Sequence, residues 1–190
     1  MRKIVQFMHV SLDGIVAGPR GEMDWIHVDE EVFDHVGART SDGDTALSGR
    51  VTWEMMEAYW PTAADQKNAT RHDLEHSAWY KRVNKVVLSR SRKGESRPNT
   101  RFIADDLAAE IRALKAGPGR EILIFGSPRA GHALQAEDLI DGYWLFVNPV
   151  ILGAGTRLFP GLASAHPLTL VESRALSSGV VCLHYERKRG

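Results

Sequence analysis

Thr45-Ala-Leu-Ser-Gly-Arg-Val-Thr-Trp-Glu-Met-Met56 is the stretch on which the fold turns. A short apolar run meets Gly49 and Arg50, and a helix-like pattern follows at once. That is the pattern of a strand turning tightly into a helix. Gly49 relieves the turn, and Arg50 and Thr52 stand at the amino end of the helix. Free backbone N–H groups and the helix dipole favour an anion there, and a guanidinium beside them grips a phosphate with two parallel hydrogen bonds. Taken alone, Gly-Arg is common, and a surface arginine capping a turn explains it equally well. The order of the surrounding segments favours the functional reading.

Working outward, strand-like and helix-like runs alternate. Strands are predicted over Lys3–Val10 (closed by the turn Ser11-Leu-Asp-Gly14), Thr45–Leu47, Lys85–Ser89, Glu121–Phe125, Gly142–Val150 and Val180–Arg187. Helices are predicted over Glu30–Val36, Thr52–Tyr59, Leu107–Ala116 (stopped by Gly117-Pro-Gly119) and Arg129–Leu139. The expected fold is α/β, with a mostly parallel central sheet and helices on both faces. Ligands of such sheets sit outside the carboxyl ends of the strands. Gly49, Ser89 and Gly126 all lie just past such ends, so three turns can face one crevice. Pro61–Thr70 and Ser91–Thr100 are expected to be flexible connections.

Gly49-Arg-Val-Thr-Trp-Glu54, Lys85-Val-Val-Leu-Ser-Arg-Ser91 and Glu121-Ile-Leu-Ile-Phe-Gly-Ser-Pro-Arg-Ala130 occur in the order and spacing of the dihydrofolate reductase fold, which the chain resembles over roughly residues 2–187. Ser11-Leu-Asp-Gly14 and the Met23-Asp-Trp25 loop add to the likeness. Asn148-Pro-Val-Ile-Leu-Gly-Ala-Gly-Thr-Arg-Leu-Phe159 is similar to one branch, the reductase domain of the bifunctional riboflavin-biosynthesis deaminase-reductases and its stand-alone relatives. The resemblance implies a three-layer dihydrofolate reductase-like domain spanning 1–190 and an NADPH-dependent reductase. It assigns Gly49, Arg50, Val51 and Thr52 to the cofactor phosphates, and Leu88, Ser89, Arg90 and Ser91 to the adenosine side. It assigns Gly126, Ser127, Arg129 and Ala130 to the pyrophosphate, and Val16 and Ala17 to the nicotinamide. Arg50, Arg90 and Arg129 suit phosphate neutralisation, and the extra charge of a 2′-phosphate favours NADPH over NADH. One departure is Gly126-Ser-Pro128 where the family runs consecutive glycines. Proline lacks an N–H but suits a first helical position.

On the substrate side the resemblance implies a small heterocycle, with a riboflavin-pathway aminopyrimidine ranked ahead of dihydrofolate or another pterin. The acid that meets the pterin in dihydrofolate reductases falls near Glu30, with Asp29 adjacent. Val28-Asp-Glu-Glu31 also reads as an ordinary acidic helix start. The expected chemistry is hydride transfer from the nicotinamide, with a water or the Glu30 region supplying the proton. Phe7, Trp25, Trp53 and Phe125 are candidates to line a pocket for a flat ring, although such residues also fill cores. His9, on the first strand, is a candidate to face the nicotinamide.

With 190 residues, 43% hydrophobic and 25% charged, the chain has room for one core. Formal net charge of zero speaks against nucleic acid and membrane surfaces as partners. No secretory leader or membrane span is expected. The lone Cys182 excludes an internal disulfide, suits a cytoplasmic location and reads as a small core residue. A homodimer through the Trp144/Phe146 strand is a further expectation. His72-Asp-Leu-Glu-His76 matches an inverted zinc-protease pattern, but a solvated polar helix explains it more simply, and no metal site is expected. The rival reading from another class is an NADP-binding module that has kept the cofactor site and lost turnover.

Overall fold

A computed structural model describes residues 1–41, 43–161 and 164–188. In chain order its first elements are β1 (Ile4–Ser11), β2 (Ile15–Ala17), α1 (Glu30–Thr40), β3 (Gly43–Gly49), α2 (Arg50–Ala63) and α3 (Arg71–Arg82). There follow β4 (Asn84–Leu88), β5 (Thr100–Ile103), α4 (Leu107–Ala116), β6 (Glu121–Phe125) and α5 (Pro128–Ala136). The chain closes with β7 (Gly142–Asn148), β8 (Thr156–Arg157), β9 (Leu168–Ala175) and β10 (Val181–Arg187). Eight strands pair in the order β5-β4-β3-β6-β1-β7-β10-β9, while β2 and β8 form a separate ribbon. The pairs from β5 through β7 are parallel, and β10 runs antiparallel to both neighbours. The carboxyl ends of β3, β4, β6 and β1 therefore open on one edge.

The core follows from alternation along buried strands. Ile4, Met8 and Val10 of β1 join Ile122 and Ile124 under α4 and α5, through Ile111, Ala130 and Leu134. Val5 joins Leu123, Phe125 and Phe146 under α1 and α3, through Val32, Val36, Trp79 and Tyr80. The sheet is thus the middle of three layers. Burying each such aliphatic side chain contributes roughly 1.5–3 kcal/mol. Lys115 and Asp141, 2.5 Å apart and nearly buried, tie α4 to the start of β7, and Asp141 also accepts from the Ile4 N–H at 2.8 Å.

Several expectations are corrected. The stretch 61–70 is shorter as a connection than expected, because α2 continues through Pro61 to Ala63. Proline is tolerated there, only two residues from the helix end. The polar run containing His72 and His76 is an amphipathic helix, α3, that buries His76, Ser77, Trp79 and Tyr80. Trp144 and Phe146 cannot meet a second copy. They are 3% and 0% exposed inside β7, which is paired on both sides. Cys182 is a buried small core residue that accepts a 3.0 Å hydrogen bond from Trp144 Nε1, and burial pushes its thiol up to about 11.

Candidate functional site

Two helix starts meet where β3 and β6 end. The backbone N–H of Gly49, the residue before α2, donates to Ser127 Oγ, the residue before α5, at 2.9 Å. Neither helix has a side-chain cap or an acidic residue in its first turn, so leading N–H groups of both are left for another acceptor. The facing residues are small. A Cβ at Gly49 would lie 3.9 Å from Ala130 Cβ, and one at Gly126 would lie 3.8 Å from Thr52 Cγ2. Gly126 and Ser127 both adopt positive φ, 51° and 55°, which turns the chain sharply out of β6 into α5. Pro128 stands at the start of α5, where its missing N–H is not needed by the helix. Arg129 is exposed beside Ala130, and Val51 is exposed in the first turn of α2.

The adenosine-side candidates gather at the end of β4. The Ser89 N–H bonds Ile103 O at 2.9 Å, and the Ser89 and Ser91 hydroxyls are 3.2 Å apart. Leu88 packs against the core and Arg90 is exposed. Arg50 pairs with Glu54 at 2.6 Å, and Arg92 pairs with the same carboxylate at 2.5 Å. The Arg92 guanidinium also lies 4.8 Å over the Trp53 ring. Sequence analysis assigned no role to Arg92, which lies in the Ser91–Thr100 stretch expected to be a connection. These two guanidiniums hold the Glu54 carboxyl below its usual range. Val16 is a core residue with its side chain turned inward, so only its backbone is available to a ligand, and Ala17 is half-buried beside it.

Next to this crevice lies a cleft of about 200 Å³. Its walls are Phe7 and His9 of β1, Phe125 of β6, Val32, Phe33 and Val36 of α1, Met56 and Trp60 of α2, and His72 and His76 of α3, with Val28 alongside. Phe125 ends the strand that leads directly into Gly126, so cleft and crevice are joined through one chain segment. Burial lowers the His9 imidazole to about 4 and His76 to about 3 and also lowers His72, so the cleft histidines are neutral near pH 7. His72 lies flat on Phe33 with ring centroids 3.7 Å apart. The i,i+4 spacing of His72 and His76 was the signal for this wall, but the metal pattern it matches concealed an aromatic one. Among the described residues no group of three or more His, Cys, Asp or Glu side chains is placed to hold a metal ion.

Of the aromatic candidates, Phe7 and Phe125 line the cleft, and Trp25 and Trp53 do not. Trp53 is spent against Phe102, edge-on at 5.2 Å, and Trp25 donates to Glu22 O at 3.1 Å. The two acid candidates also lie outside it. Asp29 caps α1 by accepting the Val32 N–H at 2.8 Å, which lowers its pKa and keeps it ionised. The Glu30 side chain is 84% exposed and 3.5 Å from Arg71. A helix cap and a surface ion pair account for both carboxylates, and neither is among the residues lining the cleft.

Two polar side chains fix the loops around the cleft. Asp13 accepts from Ser11 Oγ at 2.6 Å and from the N–H groups of Leu152 and Gly153 at 3.1 and 2.8 Å, which lowers its carboxyl to about 2. Asn148 accepts from the His27 N–H at 2.8 Å and donates to Phe146 O at 3.0 Å. The Ser11–Gly14 and Asn148–Phe159 motifs thus meet in space through these residues.

Known proteins resemble this chain in sequence and fold. The family model for the RibD C-terminal domain matches residues 2–182 of this chain. The Bacillus subtilis (strain 168) protein YyaP, described as uncharacterized, is 32% identical over 97% of this chain and 94% of its own length. A putative riboflavin biosynthesis protein from Shewanella sp. PV-4 superimposes with a TM-score of 0.69 at 25% identity, covering 98% of this chain and 99% of that one. The Thermotoga maritima diaminohydroxyphosphoribosylaminopyrimidine deaminase/5-amino-6-(5-phosphoribosylamino)uracil reductase shares the fold, with a TM-score of 0.68 at 17% identity. There the match covers 98% of this chain and 57% of that one.

Proposed function

We propose, on the premise that this chain belongs to the RibD C-terminal domain family, that it is an NADPH-dependent reductase of a small flat heterocycle. The observation that carries the reading is the meeting of two uncapped, acid-free helix starts at Gly49 and Ser127, next to an aromatic cleft. Such a pair of helix ends is built for phosphate. Gly49, Val51, Thr52, Gly126, Ser127 and Ala130 would hold the pyrophosphate, with Arg129 beside it. Ser89, Arg90, Ser91, Arg50 and Arg92 would take the adenosine end, where exchanging Glu54 for a 2′-phosphate keeps each guanidinium paired.

When bound, the reduced nicotinamide supplies the hydride. The chain's own part is to orient the substrate ring between Phe7, Phe125 and Trp60 and to keep bulk water from it. With no carboxylic acid among the described lining residues, the proton comes from water. A described lining without a carboxylate also ranks an aminopyrimidine-type ring ahead of dihydrofolate. Titration with NADPH and NADH, followed by NADPH oxidation over a panel of heterocycles, tests this reading. Tighter NADPH binding with turnover supports it, NADPH binding with no turnover favours the cofactor-binding module, and no nucleotide binding rejects both.

A further inference from the structure

We propose that the aromatic cleft takes an uncharged, planar heterocycle bearing no phosphate or carboxylate, and that His76 Nε2 hydrogen-bonds its polar edge. This deepens the reductase reading and rests on it for the cofactor, but not for the binding event itself. Among its described lining residues the cleft has no Lys, Arg, Asp or Glu; its polar groups are three imidazoles. An anionic group placed there finds no compensating charge, which is costly away from water. The outer ends of α1 and α3 do not supply it. Arg71, next to His72, is paired with Asp34 and lies 3.5 Å from both Glu30 and Glu75, so three carboxylates surround one guanidinium. A phosphate arriving at that rim meets net negative charge.

His76 is the second, independent observation. It is 7% exposed, and its Nε2 is buried with no hydrogen-bond partner. A buried polar atom without a partner is unfavourable in the free protein. Trp60 packs on the ring at 4.1 Å between centroids, with Phe125 at 6.4 Å. A flat ligand entering beside Trp60 gives Nε2 its partner. A neutral imidazole donates or accepts according to tautomer, which suits a carbonyl or ring N–H of a pyrimidine-like edge. A cleft of about 200 Å³ falls below the roughly 300–1,000 Å³ of drug-sized sites. It therefore admits one or two fused rings without a phosphorylated sugar.

The test uses the whole chain with NADPH titrated separately, and two matched probes. These are lumazine, an uncharged pteridine-2,4-dione, and lumazine-6-carboxylate, measured by calorimetry below the ring's own ionisation. Lumazine is expected to bind at least tenfold more tightly than the carboxylate. His76→Leu is expected to weaken lumazine about tenfold, to leave NADPH affinity unchanged, and to raise the melting temperature of the free protein. His76→Gln, which keeps a hydrogen-bonding group, is expected to recover most of the lumazine affinity. Equal or tighter binding of the carboxylate, no binding of either probe, or unaltered lumazine binding in His76→Leu overturns the proposal. Failure of NADPH to bind leaves these probe results readable and counts against the reductase reading alone.

Discussion

Four of the five described helices begin in two contrasting ways, and α4, with no side-chain cap but Glu110 in its first turn, belongs to neither group. At α1, Asp29 accepts the Val32 N–H, and Glu30 and Glu31 add negative charge to the first turn. At α3, Thr70 and Asp73 form a reciprocal capping box. Both ends are neutralised by their own residues. At α2 and α5 there is neither side-chain cap nor first-turn acid, and the two starts are joined through Gly49 N–H and Ser127 Oγ. The starts of α2 and α5 stand at the carboxyl ends of β3 and β6, whereas the closed starts of α1 and α3 flank the apolar cleft. A protein that caps two helices and leaves two others open gives up stability at the open ends. Capping contributes about 0.5–2 kcal/mol per helix, and the two ends with neither cap nor first-turn acid are the ones placed for an anionic ligand.

The largest effect is expected from closing an open end. Gly49→Asp places a carboxylate at the start of α2, where φ is −81° and no backbone strain arises. Aspartate is a good cap, so thermal stability should hold within a few tenths of a kcal/mol, while NADPH affinity by calorimetry should fall about 100-fold, as the loss of charge-assisted phosphate bonds implies. Unchanged affinity would mean that the open ends are not the phosphate site. Next in size is the adenosine end. Arg50→Ala should cost NADPH about tenfold and NADH little, converging the two binding constants; equal losses for both nucleotides would move the 2′-phosphate elsewhere.

Opening a closed end should act on stability alone. Thr70→Ala is expected to cost about 1 kcal/mol by chemical denaturation, with nucleotide affinity unaltered. The smallest effect is expected of Asp29→Asn, since asparagine caps as well as aspartate. Stability near pH 7 and any NADPH oxidation rate should stay within twofold of the parent. A loss of turnover with intact cofactor binding would restore Asp29 as a catalytic residue. The pH dependence distinguishes the two side chains. The Asp29 pKa is lowered from 3.8 by the Val32 N–H, so its contribution is full above that value and is lost as pH falls through the lower folded one. The acid limb of a melting-temperature profile should therefore be shallower in Asp29→Asn.

Much of the parallel half of the sheet was legible because β1, β3, β4 and β6 are short apolar runs ending in turn residues. The edge strand β9 was not, since Leu168–Ala175 is exposed along its whole length and carries no alternation of burial. The short strands β2, β5 and β8 owe their pairing to distant partners rather than to their own composition. Gly49 and Gly126 were readable as a crevice because each follows its strand locally. The cleft was not, because Phe7, Val32, Trp60 and His76 come from four elements that only the finished fold brings together. Trp53 illustrates the same limit from the other side. Its aromatic ring pointed to the pocket, yet it is taken up by Phe102 and Arg92.

The measurement closest to the central claim is a calorimetric titration of the unmodified chain with NADPH and, in parallel, NADH. The account predicts saturable binding of both, with NADPH at least tenfold tighter. Absent binding, or equal constants for the two nucleotides, would contradict it.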